Sequence, residues 1–288
     1  MRDLNYQLKQ LCRDNRDGSY GTQVQRERML TLIANQLHEL GYRRMRARSL
    51  KPKHIEALTK HWIESGTAPG TMKNRMSVIR WWAKKVNKQN VVARSNDAYG
   101  LPRRQYVSGA SKGWSMGEQA LEKVTDPHVR MSLELQRAFG LRREEAIKIV
   151  PRLADKGKTL WLKASWTKGG REREVPIETA EQRDVLDRAR RLAGRGSLIP
   201  GPKRYVQQLR CYEGQCARAG LRRMHGLRHA YAQQRYLELT GWRAPVAGGP
   251  TRRQLTDEQR DRDQEARLQI SQELGHSREA ITVVYLGR

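Results

Sequence analysis

The stretch His225-Gly226-Leu227-Arg228-His229 decides how the chain reads. It sets two imidazoles around a guanidinium, and His225 and Arg228, three apart, share one helical face. Three other short segments carry chemistry of the same kind. In Gly140-Leu141-Arg142-Arg143-Glu144-Glu145, Gly140 can end one helix and leave Arg142 at the junction where the next begins. A planar guanidinium there can hold two non-bridging oxygens of one phosphate. Thr167-Lys168-Gly169-Gly170 reads as a hairpin tip, which delivers a flexible ammonium suited to a leaving oxygen. Leu274-Gly275-His276 is followed by Tyr285 nine residues after the histidine. Each segment also has an ordinary reading: Arg142 as a surface arginine, Lys-Gly-Gly as a plain turn, His225 as a hydrogen-bonded interior histidine, Tyr285 as a core aromatic.

Charge points the same way. The 288 residues hold 57 Lys and Arg against 30 Asp and Glu, a net charge of +27; the isoelectric point is about 10.7 and the mean hydropathy −0.86. Such an excess opposes compaction and is usually kept for a polyanion, nucleic acid first and anionic membrane second. Residues 1–100 hold 20 basic and 8 acidic side chains, so both halves of the chain are strongly basic. That suits a grip on a duplex from two sides better than a patch on a bilayer, or a solvated basic surface with no partner. Hydrophobic residues, at 37%, suffice for real cores and exclude a wholly disordered basic tail. No run approaches the ~18 apolar residues of a membrane span. The opening residues lack the apolar run of a secretion signal, and Cys12, Cys211 and Cys216 cannot close a disulfide framework. A reducing, cytoplasmic setting is expected.

The spacing predicts a mainly α protein with a small β-hairpin. Residues 1–100 read as a helical domain: a helix over 22–40, another restarting at Pro52, and a third capped by Thr71. In the third, Met72, Met76, Ile79, Ala83 and Val86 form an apolar stripe opposite Lys73, Arg75, Arg80, Lys84 and Lys85. Residues 101–114 read as a basic linker, and 115–288 as a second domain. Helices are expected there over 118–124, 127–139, 179–193, 203–219, 226–240, 258–273 and 278–285, with strands over 159–163 and 171–177. Residues 241–256, rich in Gly, Pro and Arg, read as a surface loop.

Other chemistries are disfavoured. The chain has no G-x-x-x-x-G-K-[ST] phosphate loop and no H-E-x-x-H. Cys211, Cys216, His225 and His229 superficially resemble a zinc finger, but the middle spacer is short and a strand pair is missing. No metal ligand is therefore assigned.

Taken together, the four segments resemble the tyrosine recombinases, or phage integrase family. That family's first arginine lies in G-L-R-x-x-E, matched by Gly140, Leu141, Arg142 and Glu145. Its hairpin lysine precedes an R/K-x-V-P stretch, matched by Lys168 and the run from Arg171 through Val175 and Pro176. Its H-x-L-R-H and L-G-H segments are matched by His225 to His229 and Leu274 to His276, and its tyrosine follows at the spacing of Tyr285. A looser likeness runs from Thr71 to Val86, similar to the last helix of the family's core-binding domain. The resemblance departs in two places. Only three residues follow Tyr285, where many relatives carry a tail exchanged between protomers, and residues 239–263 form a longer, more charged stretch than usual.

The resemblance implies an N-terminal core-binding domain and an α-rich catalytic domain. It implies a site-specific DNA recombinase with catalytic residues Arg142, Lys168, His225, Arg228, His276 and Tyr285, acting through a 3′-phosphotyrosyl intermediate with no cofactor, metal or ATP. The implied partners are double-stranded DNA recombination sites, a homotetramer on DNA and possible accessory recombination proteins, with no membrane. The implied setting is the nucleoid of a bacterium or the host of a phage. Two other outcomes compatible with the resemblance are a type IB topoisomerase-like activity and a catalytically inactive DNA-binding protein of the same fold.

Overall fold

Apolar residues at helical spacing dominate the chain, and the computed structural model is accordingly mostly helical with one two-stranded antiparallel sheet. It describes residues 3–288 other than Tyr106, Ser108 and Ser277, together with all side chains of those residues but that of Glu279. Tyr106 and Ser108 of the expected linker thus lie outside the described residues. The chain divides into two units, Met1–Gln105 and Tyr106–Arg288. No helix among the described residues is long and apolar enough to cross a membrane.

The first unit contains α1 (Asp3–Asp14), α2 (Tyr20–Glu39), α3 (Pro52–Glu64) and α4 (Pro69–Lys85). Ser19 caps α2 by accepting from the Thr22 amide, and Pro52 opens α3. The core joins Leu8, Ile33, Leu37, Ile55, Leu58, Trp62, Met76, Ile79 and Trp82. The two buried indoles are satisfied: Trp62 donates to Gln36 Oε1 at 2.9 Å and Trp82 to the Ala47 carbonyl at 2.9 Å. Thr71 is not the cap of the third predicted helix. Pro69, whose ring fixes a helical φ, starts α4 two residues earlier. The outer basic face of α4 is partly structural. Arg80 donates to Ala93 O at 3.1 Å and Asn96 Oδ1 at 2.7 Å, Lys85 pairs with Asp17 at 2.9 Å, and Arg75 lies 5.2 Å over the Trp62 ring.

The second unit is organised about α6 (Pro127–Phe139), which Asp126 caps through the His128 and Val129 amides. One side of α6 gives Leu135 and Phe139 to a core shared with the sheet, α9 (Ala180–Ala193), α11 (His225–Thr240), α12 (Asp257–Glu273) and α13 (Val283–Leu286). The other side gives Val129 and Leu133 to a second core with Tyr212, Cys216 and Leu227, beneath α10 (Tyr205–Arg218). The shorter α5 (Glu118–Glu122), α7 (Arg143–Lys148) and α8 (Pro151–Ala154) complete the unit. β1 (Thr159–Leu162) pairs with β2 (Arg173–Pro176) in the register Leu160 to Val175 and Leu162 to Arg173.

The structure redraws several expectations. The ten residues between the strands hold a 3-10 turn, Ala164–Trp166, and a second turn carrying Lys168, so the connection is no tight hairpin. The expected last helix splits into a 3-10 turn, Glu279–Ile281, and α13. Residues 241–256 are not simply a surface loop: Ala244 is fully buried and Leu255 nearly so. Cys211 is bound to Asp126 Oδ2 at 3.3 Å, and among the described residues no cluster of three His, Cys, Asp or Glu is arranged to hold a metal.

Trp82→Ala should destabilise the first unit by about 3–5 kcal/mol, because it opens a cavity and strands the Ala47 carbonyl. Urea unfolding of the full chain followed by circular dichroism measures this. A change below about 1 kcal/mol would show that the site collapses around the gap.

Candidate active site

Arg228 is the centre of the site. Its side chain is only 1% exposed. Nη1 donates to the Gly140 carbonyl at 2.6 Å, Nη2 to the Leu274 carbonyl, and Nε lies 3.4 Å from Tyr285 Oη. One cation on α11 therefore binds the turn before α7, the turn after α12 and the phenol of α13. Burial, reinforced by the nearby Arg142 charge, brings the guanidinium down to about 10, which leaves it cationic at neutral pH.

Gly140 makes the first turn possible. Its φ is +58°, and a Cβ there would stand 2.5 Å from Cδ1 of Tyr231. The turn delivers Arg142 to the start of α7, where its amide and Nη1 both bind Glu145, at 2.7 and 2.8 Å. Glu145 is fully buried and is also gripped by both Nη atoms of Arg173, at 3.0 and 2.6 Å. Arg173 Nε in turn donates to the Glu273 carbonyl at 2.8 Å. Burial alone would raise the Glu145 carboxyl; the Arg173 hydrogen bonds and charge, with Arg142 and Arg228, outweigh it and hold it at about 2.

Three imidazoles surround Tyr285. Ring centroids lie 4.5 Å away for His229, 5.4 Å for His276, which is stacked, and 6.1 Å for His225. All three titrate below the usual histidine range. Desolvation is the largest cause in each, followed by Arg228 and Arg142 for His225 and His276, and by His225 and Lys112 for His229. His229 falls to about 4 and His276 to about 3, so the ring of imidazoles is uncharged at neutral pH. Nδ1 of His229 and of His276 is buried with no hydrogen-bond partner among the described residues.

The structure thus brings Arg142, His225, Arg228, His276 and Tyr285 into one cluster. Lys168 stands exposed on its turn, close enough that its charge contributes to the low titration of His225. Sequence reasoning missed Arg173 as the partner that fixes Glu145. The signal was present, since Arg173 alternates with Val175 and so falls on the buried face of β2. Arg142, Arg173 and Arg228 outnumber Glu145, the carboxylate that pairs with the first two, and the cluster is suited to an anion.

Comparisons with known proteins bear on the family and the fold. Residues 1–92 match a family model described as phage integrase, N-terminal, and residues 109–234 match one described as integrase. A lambda integrase dimer bound to a COC′ core site has a TM-score of 0.62 at 14% identity, covering 98% of this chain and 76% of that one. A lambda integrase tetramer bound to a Holliday junction gives 0.58 at 13%, covering 96% and 76%. The XerH site-specific recombinase in a post-cleavage complex with a palindromic difH substrate gives 0.58 at 17%, covering 98% and 80%. No curated protein sequence matches.

The stability of this unit should fall on the acid side. Unfolded imidazoles take up protons near 6.5, but His229 and His276 in the fold do so only at about 4 and 3. An unfolded Glu does so near 4.5, against about 2 for Glu145. In both cases the unfolded chain binds more protons, so stability is complete above about pH 6.5 and is lost progressively below it. Melting temperatures across this range should show that slope, and His276→Gln should flatten its upper part. A flat profile would mean that the histidines are hydrated in the fold. Glu145→Ala, which leaves Arg173 buried without its partner, should cost about 3–5 kcal/mol.

Proposed function

The chain belongs to the tyrosine recombinase (phage integrase) family of site-specific DNA recombinases, and we propose that Tyr285 is its nucleophile and a phosphodiester of duplex DNA its substrate. The observation that carries this reading is Tyr285 Oη lying 3.4 Å from Nε of the buried Arg228. A phenol attacks phosphorus well only as its proton leaves and negative charge grows on oxygen. Arg228 stabilises that charge, and His225, uncharged at neutral pH, takes the proton.

The reaction follows from there. The Tyr285 oxygen bonds to phosphorus in line with the leaving group, and the bond from phosphorus to the 5′ oxygen breaks. The products are a 3′-phosphotyrosyl enzyme and a 5′-hydroxyl, to which Lys168 gives the proton. Arg228 has five N–H donors, of which three are engaged in the free site, so two remain for non-bridging oxygens. Arg142 spends one donor on Glu145 and offers the rest. The two arginines supply the charge that the transition state needs, and His276 hydrogen-bonds the phosphate. In this reading charge neutralisation asks for no metal, and the phosphotyrosyl bond stores what rejoining requires without ATP. Attack by a second 5′-hydroxyl on the phosphotyrosine completes an exchange.

For the whole chain we assign residues 1–100 to a helical DNA-binding domain, 101–114 to a basic linker and 115–288 to catalysis. The basic surplus on both sides of the linker supports a two-sided grip on the duplex. A tetramer working through a Holliday junction is the assembly that two sequential exchanges need.

Nicked suicide duplexes, selected from a randomised pool by wild-type binding, test the reading. Wild-type protein should accumulate a covalent adduct and Tyr285→Phe none. Arg142→Ala should bind the same duplex within about threefold, since many charges share the phosphates, yet cleave at least about 100-fold more slowly. Adduct formation by Tyr285→Phe would remove Tyr285 from the role.

A further inference from the structure

Tyr285 sits on α13, a helix of four residues whose last carbonyls have no partner within the helix. The Tyr285 carbonyl finds one in α11, where Gln233 Nε2 donates to it at 3.0 Å. Gln233 follows His225 and His229 at steps of four, so the helix stripe that surrounds the phenol also holds the tyrosine's backbone.

The amide of Gln233 is itself held. Ser111 Oγ lies 3.1 Å from its Oε1 and 3.0 Å from its Nε2, and the same oxygen accepts the Gly113 amide at 3.1 Å. The next residues continue along α11 toward its N-terminus. The Trp114 indole donates to the Arg223 carbonyl at 3.1 Å, and its ring lies against Gly226. A Cβ at Gly226 would stand 2.2 Å from Trp114 Cδ1 and 2.8 Å from the Lys112 carbonyl, so only glycine admits this contact. Arg223, which supplies the carbonyl, has a φ of +56°, uncommon for a residue with a side chain. Residues 111–114 therefore form a strap laid along α11, locked at both ends.

We propose that Gln233 is a positioning residue for the nucleophile, and that the Ser111–Trp114 strap sets its amide so that Tyr285 is held for attack. The Ser111 hydroxyl orients the carboxamide, whose N–H then fixes the last turn of α13. The proposal rests on the assignment of Tyr285 as nucleophile. Ser111 is also six residues downstream of Gln105, the last residue of the first unit. The segment that sets the tyrosine thus lies near the start of the second unit.

Single-turnover cleavage of the suicide duplex at saturating DNA tests this with the full chain. Gln233→Ala should cleave roughly five- to tenfold more slowly, the scale of one lost neutral hydrogen bond, with DNA affinity unchanged and the melting temperature lowered by no more than about 4 °C. Ser111→Ala should slow cleavage roughly threefold, and the double variant should be no slower than Gln233→Ala alone, because the serine acts through the glutamine. Ser111→Thr should restore the wild-type rate. Gln233→Glu, which keeps the shape but cannot donate to Tyr285, should be as slow as the alanine variant, and it decides the matter if Gln233→Ala melts early. Gln234→Ala, on the exposed neighbour, should behave as wild type. Wild-type rates in Gln233→Ala and Gln233→Glu, or single effects that multiply in the double variant, would overturn the proposal. Failure of the wild type itself to form adduct would instead sink the assignment of Tyr285.

Discussion

A buried guanidinium must have acceptors, and that requirement at Arg228 governs the second unit. The charge is taken out of water, and the nearest compensation is not a carboxylate but two main-chain carbonyls and a phenol. Gly140 and Leu274 lie far apart in sequence, each at the end of a helix, where carbonyls lack partners. Arg228 satisfies both at once. The turns that carry Arg142 and His276 are thereby fixed relative to Tyr285 by one side chain. Replacing Arg228 would loosen three segments together, so a loss of cleavage in such a variant would say little about its contact with phosphate.

The same logic explains Glu145. Arg142, Arg173 and Arg228 converge on the interior carboxylate of Glu145, which receives hydrogen bonds from two of them. Arg173 comes from β2, at a register position where the opposite residue is Leu162 and an apolar side chain is the norm. The sheet thus serves as an arm that inserts a cation under the site. The ion pair holds Arg142 by one edge while its side chain stays partly exposed, which is the preorganisation that the proposed transition-state stabilisation requires.

How much of this was legible depended on the range of the interaction. Arg142, His225, Arg228, His276 and Tyr285 belong to short segments whose spacing on a turn or helix carries their meaning, and the fold gathers them. Lys168 was legible as a turn residue, but the longer connection around it was not, because a 3-10 turn leaves no hydrophobic period. Thr71 misled because its capping preference was weighed without the stronger constraint of Pro69. Residues 241–256 read as exposed from their glycines, prolines and arginines, yet Ala244 and Leu255 are buried there and Gly287 lies against Val246. α1 went unread although Leu4, Leu8 and Cys12 recur at steps of four and are buried. The bond from Ser111 to Gln233 spans 122 residues, and no local pattern announces a contact of that range.

The neutral imidazoles give the site a further property. His276 and His225 are held uncharged by desolvation and by the very arginines that would receive a phosphate. A bound phosphodiester brings negative charge against the same arginines and cancels part of their field at the histidines. On the proposed mechanism, proton affinity at His225 and His276 therefore rises as substrate enters. His225 becomes a better base when the tyrosine has something to attack, and His276 a better donor when there is an oxygen to receive its bond. Water alone provides no such charge, so the free site stays in the uncharged form. On that mechanism the substrate itself would complete the acid–base machinery, and the arginines that would bind it would set the threshold.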